Sequence, residues 1–538
     1  MSRSRGGENV DSDRPEQAPQ APLSFVLSQQ DAKHDGDETV FEAIDPVEER
    51  KLVRKLDMVI VPTMALIYFL QCKCPAPPRS NIKAIRHCVP YLDKSSINYA
   101  AVFGLRNDLS LTGEQFSWVV SLFYFGQLCS EYPAAYVLSR FRITTCVGVT
   151  IIAWGIVEMT IGATTNFQGI AAARFFLGFT EAAVSPAFII LISLWYRRRE
   201  HPIRVAAWVS MNGISQIVGA LLMYAVGGVD NMAIASWRAI FLIFGGLPIA
   251  CGIAFLFLMP KDTTTAWFLN ARERDLATRR LAIDRASRER SEFNKAQMWE
   301  ALISPLTWMY FWFALLITLP SPILKFSSIV INGFGYSNFR TMLLGTPSGA
   351  ISFATVWISA LGPRIFPNTR IYTIIFLSLI PLAGSLVLLL VPADAKSGNA
   401  WAIVAATWLA GCSSAPLSGV AALMASNVKG NTKKSVVSAG FFISYCVGCI
   451  VSPQAWTESD APRYTKGCIL SIVSWIALII SLVIYLLIVT SINKKRDADA
   501  GHVHPGHNLE TERAGIQTGL SLDSDLTDTQ DKGFRYSI

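Results

Sequence analysis

Long uninterrupted apolar runs decide what this chain can fold into. Twelve stand between residues 57 and 490: 57–71 with 91–103, then 115–138, 144–163, 168–194, 204–228, 238–259, 305–331, 341–361, 370–391, 399–426, 435–456 and 466–490. At 1.5 Å per residue, about 20 helical residues cross the ~30 Å of bilayer hydrocarbon. Each run after the first has about that length. In lipid, a helix is the form in which such a run satisfies all its backbone polar groups internally. Composition agrees, because only 16% of the 538 residues are charged, where a soluble domain carries about 25%. The expected fold is an all-α membrane protein of twelve transmembrane helices.

The longest connection, 260–304, lies at the midpoint and contains the charged stretch ARERDLATRRLAIDRASRER. Six spans, a charged cytosolic linker and six more predict two pseudo-symmetric six-helix halves, 51–259 and 305–490. The linker reads as a solvated surface helix. Residues 1–50 and 491–538 are polar and read as disordered cytosolic tails. His502, His504 and His507 fall in the second tail with no rigid element to present them, so no metal site is expected.

The net charge of +8 does not point to nucleic acid, because Lys and Arg sit in short loops rather than on a basic stripe. Arg140, Arg142, Arg197, Arg198, Arg199, Arg204, Arg364, Arg370, Lys429, Lys433 and Lys434 fall on one side, with Lys494, Lys495 and Arg496 after the last span. By the positive-inside rule that side is cytosolic, with both chain ends inside. The Trp195–Tyr196 pair before Arg197–Arg199 reads as an interfacial anchor. Arg197 and Arg198, with Arg140 and Arg142, are candidate gate residues. Most cysteines lie inside apolar runs as small packing residues. No signal peptide, P-loop, GxSxG or HExxH is present, so neither an enzyme nor a cofactor is expected, and the energy source is an ion gradient.

Ionisable groups at membrane depth are costly and usually face a cavity. In RFFLGFTEAAVSPAF, Arg174 and Glu181 are two helical turns apart and share one face, with Gly178 between them permitting close helix approach. Arg174 suits a carboxylate by a bidentate pair, and Glu181 suits a proton. The alternative is an Arg–Glu pair that ties helices together. Glu131 is a second proton candidate, and Glu158 a third, shallow enough to reach water. Asp93, Lys94 and Asn98 either contact substrate or mark the end of the first span. Lys325 follows Pro320 and Pro322, which should break the seventh span as in discontinuous transporter helices. It binds substrate or snorkels outward.

These residues resemble the major facilitator superfamily, and within it the fungal allantoate permease-like branch of anion:cation symporters. The resemblance spans about 47–490. Asp57, Pro62, Leu92-Asp93-Lys94, Asn98, Glu131, Pro133, Trp154-Gly155, Arg174-Phe175, Gly178, Glu181, Pro186, Trp195-Tyr196, Glu200, the NVKGNTKK run from Asn427 and Ala461-Pro462-Arg463-Tyr464 carry it. It implies proton-coupled symport of a small organic anion (a carboxylate, vitamin or nitrogen compound) by alternating access. Substrate would meet Arg174, Lys94, Asn98 and Lys325, with Glu181, Glu131 and Asp93 coupling the proton. The partners are then the anion, the proton and the lipid bilayer, without nucleic acid, and the protein is read as a monomer. The plasma membrane is the expected location, with the vacuolar membrane second. An exporter on the same fold and a non-transporting nutrient receptor are the competing readings. Two positions depart from the branch: Ala187 follows Pro186 where Gly is usual, and Gly448-Cys449-Ile450 replaces Gly-Asn-Ile.

Residues 72–90, CKCPAPPRSNIKAIRHCVP, interrupt the first span with four prolines and four basic residues. No membrane helix accommodates that. Without them YFLQ joins YLDKSSINYA and restores a normal span. The stretch reads as a retained intron, since Cys-Lys-Cys can be encoded through GTAAGT. The other reading is an external loop above a shortened helix. Sequencing the transcript separates the two.

Overall fold

The computed structural model describes residues 45–70, 104–197, 200–227, 234–285, 294–333, 337–391, 400–456, 460, 464–500, 526–531 and 533–538. Asp93, Lys94, Asn98, Arg198 and the 72–90 stretch lie outside them. A single helical turn, Leu105–Asp108, lies between the first and second long helices of the N-terminal half.

The N-terminal half holds α1 (Pro46–Leu70), α2 (Gly113–Arg140), α3 (Ile143–Gly162), α4 (Phe167–Glu181), α5 (Val184–Trp195), α6 (His201–Val209), α7 (Met211–Gly227) and α8 (Ser236–Leu258). The linker forms α9 (Ala271–Arg285) and α10 (Lys295–Ile303). The C-terminal half follows with α11 (Pro305–Thr318), α12 (Pro322–Gly333), α13 (Asn338–Ile365), α14 (Arg370–Leu390), α15 (Ala400–Ala410), α16 (Ser414–Asn427), α17 (Asn431–Val451) and α18 (Thr465–Ala500). A 3-10 turn, Ser452–Ala455, caps α17.

Local chemistry sets many of these boundaries. Thr112 and Gln115 form a reciprocal capping box at the start of α2. Asn166 caps α4 by accepting from the Gly169 N–H at 2.8 Å, and Ser337 caps α13 by accepting from Arg340 N–H. Pro320 and Pro322 end α11 and begin α12, the break expected in the seventh span. The fourth, fifth and tenth runs are likewise interrupted, between α4 and α5, α6 and α7, and α15 and α16. Among the described residues eight helices or joined pairs are long and apolar enough to cross a membrane, nine if α10 and α11, bent by 64°, count as one. The other runs form α1, α2, α6–α7 and α11–α12, which are shorter, broken or more polar.

Two apolar clusters form the core. The first holds Trp154, Phe188, Trp237 and Phe241 of the N-terminal half and continues into the C-terminal half through Phe326, Trp456 and Tyr464. Tyr310, Phe313, Trp475 and Tyr485 lie in the second, where the Tyr310 and Tyr485 hydroxyls bond at 2.6 Å and Asn427 Nδ2 donates to Tyr485 at 2.9 Å. Buried polar groups this well satisfied fix helix register rather than merely filling space.

Three expectations are corrected. The linker helix α9 is not solvated all round, because Ala277, Arg280 and Leu281 are buried against the N-terminal half. The region from 491 is not wholly a tail: α18 continues to Ala500, and residues 526–531 and 533–538 pack against the C-terminal half through Thr527, Asp528 and Tyr536, all buried. Trp195 and Tyr196 are not interfacial anchors. Both are buried, Trp195 beside Phe268 and Tyr196 beneath the Arg204 guanidinium, 4.0 Å from its ring centroid.

Candidate functional site

The buried stripe of α4 runs Ile170, Ala173, Arg174, Leu177, Gly178 and Glu181, the i, i+3, i+4, i+7 spacing of a helix with one covered face. Arg174 is 2% exposed and Glu181 4%. They are held at depth because α4 crosses α2 closely. A Cβ added at Gly178 would sit 1.8 Å from the Phe123 carbonyl oxygen, and one at Gly126 would sit 1.9 Å from that of Phe175. Gly178 thus permits the close approach that its place between the two charges suggested.

The Arg174 guanidinium lies 5.9 Å from the Phe241 ring centroid on α8, within cation–π range. Toward the other end of the stripe, Glu181 is within electrostatic reach of Tyr124 on α2, as are Cys446 and Cys449 of α17. Tyr124 also meets Tyr445 of α17 edge-on, with centroids 6.1 Å apart. The carboxylate therefore lies beside an aromatic contact that crosses from one half to the other. Glu158 on α3 is 1% exposed, so it does not reach water as expected. Glu131 is half-buried on α2, next to the exposed Tyr132 and Pro133. Lys325 lies within α12.

Three further contacts mark the seam between the halves. α7 crosses α13 where a Cβ on Gly213 would sit 2.4 Å from the Gly349 carbonyl oxygen. Nearer the start of α2, Ser121 Oγ donates to the Ile450 carbonyl at 2.8 Å and accepts from Gln454 Nε2 at 3.3 Å. The Phe116 and Phe326 rings meet edge-to-face there.

The N-terminal half also carries a charge network. Arg280 of α9, 1% exposed in its side chain, donates to Glu49 at 2.8 Å and bonds Glu200. Arg197 joins it, pairing with Glu49 at 2.7 Å and donating Nε to the Arg280 carbonyl. Arg204 makes a two-pronged pair with Asp57, 2.8 Å in each prong. Lys55 bonds both oxygens of Glu273 at 2.9 and 2.8 Å. Lys55, together with the Asn270 N–H, holds the Glu273 carboxyl below its ordinary value. Arg197 is thus one member of a network that fastens α1, the α5–α6 connection and α9 together. Arg140 and Arg142 are exposed, at the end of α2 and the start of α3. The sequence reading missed Glu49 and Arg280 as partners because 231 positions separate them, and no local spacing signals such a pair. No group of three or more metal-ligating side chains occurs among the described residues.

Two halves of membrane-crossing helices joined by a charged linker, with buried charge beside the seam, define a multi-pass membrane transporter. The model of the Major Facilitator Superfamily matches residues 87–453, and the chain belongs to that superfamily. Within it the chain is similar to the allantoate permease of Saccharomyces cerevisiae, 30% identical over 92% of this chain and 88% of the permease. An uncharacterized transporter of Schizosaccharomyces pombe is 32% identical over 91% and 87%. The thiamine pathway transporter THI73 of Saccharomyces cerevisiae is 27% identical over 90% and 86%. Among solved structures, the nucleoside transporter NupG has a TM-score of 0.52 at 11% identity, covering 80% of this chain and 98% of its own. An inward-facing bacterial homologue of the lysosomal transporter Spinster has a TM-score of 0.51 at 13% identity, covering 82% and 96%. These two likenesses concern the fold alone.

Proposed function

We propose that the protein is a proton-coupled symporter of a small organic anion, working by alternating access in the plasma membrane with both chain ends cytosolic. The observation that carries this reading is the burial of Arg174 and Glu181 on one face of α4. A cation and a carboxylate at that depth are costly to keep and suit a site that takes up an anion and a proton. Substrate would pair with Arg174, and Lys94, Asn98 and Lys325 are proposed to complete its binding site. Glu181 is proposed to load the proton, assisted by Glu131 and Asp93. Occupancy by both ligands then favours reorientation, because each binds one conformation better than the other.

The similarity to an allantoate permease makes small carboxylates of the allantoate type the first substrates to try, followed by vitamins and other nitrogen compounds. Uptake by proteoliposomes under an imposed pH gradient tests the reading. Arg174→Ala is expected to reduce uptake at least about tenfold, equivalent to ~1.4 kcal/mol. Glu181→Gln is expected to abolish the response to the pH gradient while substrate exchange continues. Full uptake by Arg174→Ala, or uptake indifferent to the gradient, would refute the mechanism. Reversing the gradient in the same vesicles distinguishes import from export.

A further inference from the structure

Residues 526–531 and 533–538 form a clasp over the end of the C-terminal half that carries the α16–α17 turn. Asn427 at the end of α16 accepts from Ser537 N–H at 2.7 Å and donates to the Ser537 carbonyl at 3.0 Å. Asn493 of α18 does the same with Tyr536, at 3.0 and 2.9 Å. Arg496 donates to the carbonyls of Phe534 and Asp528. Arg370, first residue of α14, donates its N–H to the Ile538 carbonyl at 2.9 Å. Lys429 pairs with Asp531 at 2.6 Å.

The centre of the clasp is Lys433, 2% exposed, which pairs with Asp528 at 2.6 Å and Glu300 at 2.9 Å. Glu300 belongs to α10, so this one ammonium joins the linker, the start of α17 and the clasp. Thr529 is exposed, and its hydroxyl donates to the same Glu300 carboxylate. Burial would raise the Glu300 carboxyl, but the bonds from Thr529 and Lys433 outweigh it and hold the group below its ordinary value. The Thr529 hydroxyl thus points at a fixed negative charge, with Asp528 and Asp531 beside it in sequence. Lys429 and Lys433 already have carboxylate partners.

We propose that Thr529 is a phosphorylation site whose modification releases residues 526–538 from the C-terminal half. In the step, Thr529 Oγ attacks the γ-phosphorus of a nucleoside triphosphate held by a protein kinase. The new O–P bond forms as the bond to the β–γ bridging oxygen breaks. The diphosphate leaves, and the hydroxyl proton passes to the kinase. The donor facing Glu300 becomes a group of about −1.5 to −2 charge that can only accept, so attraction turns to repulsion. Asp523, Asp525, Asp528 and Asp531 around the site suit a kinase with a basic substrate groove. Release also loosens the hold of Lys433 on α10, at the inner end of the helix that carries Tyr445 to the seam.

Amide hydrogen exchange on the full-length protein in lipid nanodiscs tests the switch. The Tyr536 and Ser537 amides, which donate to Asn493 and Asn427, are expected to exchange slowly in the wild type. Thr529→Glu should speed them at least about tenfold, with exchange in α18 and in α14 beyond its first turn unchanged as evidence that the bundle is intact. Thr529→Val, which loses the hydroxyl and adds no charge, should have a smaller effect. Pairing Thr529→Glu with Glu300→Gln should slow exchange again. Slow exchange in Thr529→Glu, or equally fast exchange in Thr529→Val, would overturn the switch. Phosphopeptide mapping of protein from cells is expected to find the phosphate on Thr529, and its absence from every growth condition would overturn the site. The proposal rests on the cytosolic placement of this face. Digestion in intact cells of a tag placed after Ile538 would show that placement to be wrong, and would do so independently of the exchange experiment.

Discussion

Gly178 has the least room of any position near the buried charges. Its missing Cβ would lie 1.8 Å from the Phe123 carbonyl oxygen and 3.0 Å from the Gln127 nitrogen, both backbone atoms that no rotamer change moves aside. Gly178→Ala must therefore push α2 and α4 apart. The expected destabilisation is about 1–3 kcal/mol, visible as a lowered melting temperature in detergent and as lost uptake. Gly440→Ala, where nothing lies within 4 Å of the added methyl, serves as control. A melting temperature for Gly178→Ala equal to that of the control would refute the tight crossing. The Arg174–Gly178–Glu181 face was legible in the sequence because it is local: positions four and seven apart share a helix face wherever the helix ends up. Tyr124 and Tyr445 were not legible, since neither carries a charge to flag it in an apolar run and more than three hundred positions separate them. The departure of Glu158 from expectation has the same origin. Depth along a helix can be counted, but enclosure by α3's neighbours cannot.

The limits of the second to eleventh runs were legible to within a few residues, because those runs end where capping residues and charges begin, whereas α1 begins at Pro46 and α18 runs on to Ala500. What helix count leaves open is where the polar elements go, and here the linker and the clasp were misread as solvated. Arg280 explains why. In ARERDLATRRLAIDR every turn carries charge, so no apolar stripe announces a buried face. The face is covered all the same because Glu49 and Glu200 meet the Arg280 guanidinium. Arg280→Ala would take the shared cation from both carboxylates, leaving Glu49 to Arg197 alone and Glu200 facing a gap. Breaking a buried pair costs about 3–5 kcal/mol, and the lower end applies because the two glutamates are 22% and 24% exposed in their side chains. The expected result is rapid hydrogen exchange confined to α9 and the start of α1, and unchanged exchange there would show the network to be ornamental. The clasp makes a pH prediction. Lys429 holds Asp531 below its ordinary 3.8, and Glu300 lies below its ordinary 4.5. Depressed carboxylates stabilise the folded form above their ordinary values and lose that contribution as pH falls through the folded ones. Protection of the Tyr536 and Ser537 amides should thus hold from neutrality down to the ordinary carboxylate range and fade only beneath it. Fading already between neutrality and pH 6 would mean that carboxylate pairing is not what docks the segment.

At the scale of the molecule, the two halves are held by contacts of different character. Inside each half, cores of tryptophan, tyrosine and phenylalanine interlock, and breaking them would expose large apolar areas. Across the seam the first cluster continues to Phe326, Trp456 and Tyr464, joined by a glycine crossing at Gly213 and Gly349, a Ser121 hydroxyl shared between Ile450 and Gln454, and the rings of Phe116 and Phe326. Rocking of one half against the other, which alternating access requires, must therefore part or slide these contacts. The Ser121 cluster joins α2 to the turn after α17 and so spans the two halves directly. If transport needs that end to open, holding it shut must stop turnover without harming the fold. Ser121→Cys with Gln454→Cys, bridged by a short bifunctional thiol reagent, provides the clamp. Bridged protein should lose uptake with its melting temperature undiminished, and cleavage of the bridge by reductant should restore it. Each single cysteine variant treated in the same way should keep its uptake, which separates clamping from thiol damage at Cys129 or elsewhere. Uptake that survives bridging would mean that α2 and the Ser452–Ala455 turn travel together throughout the cycle. The moving boundary would then lie within a half, and the Ser121 cluster would be a structural tie.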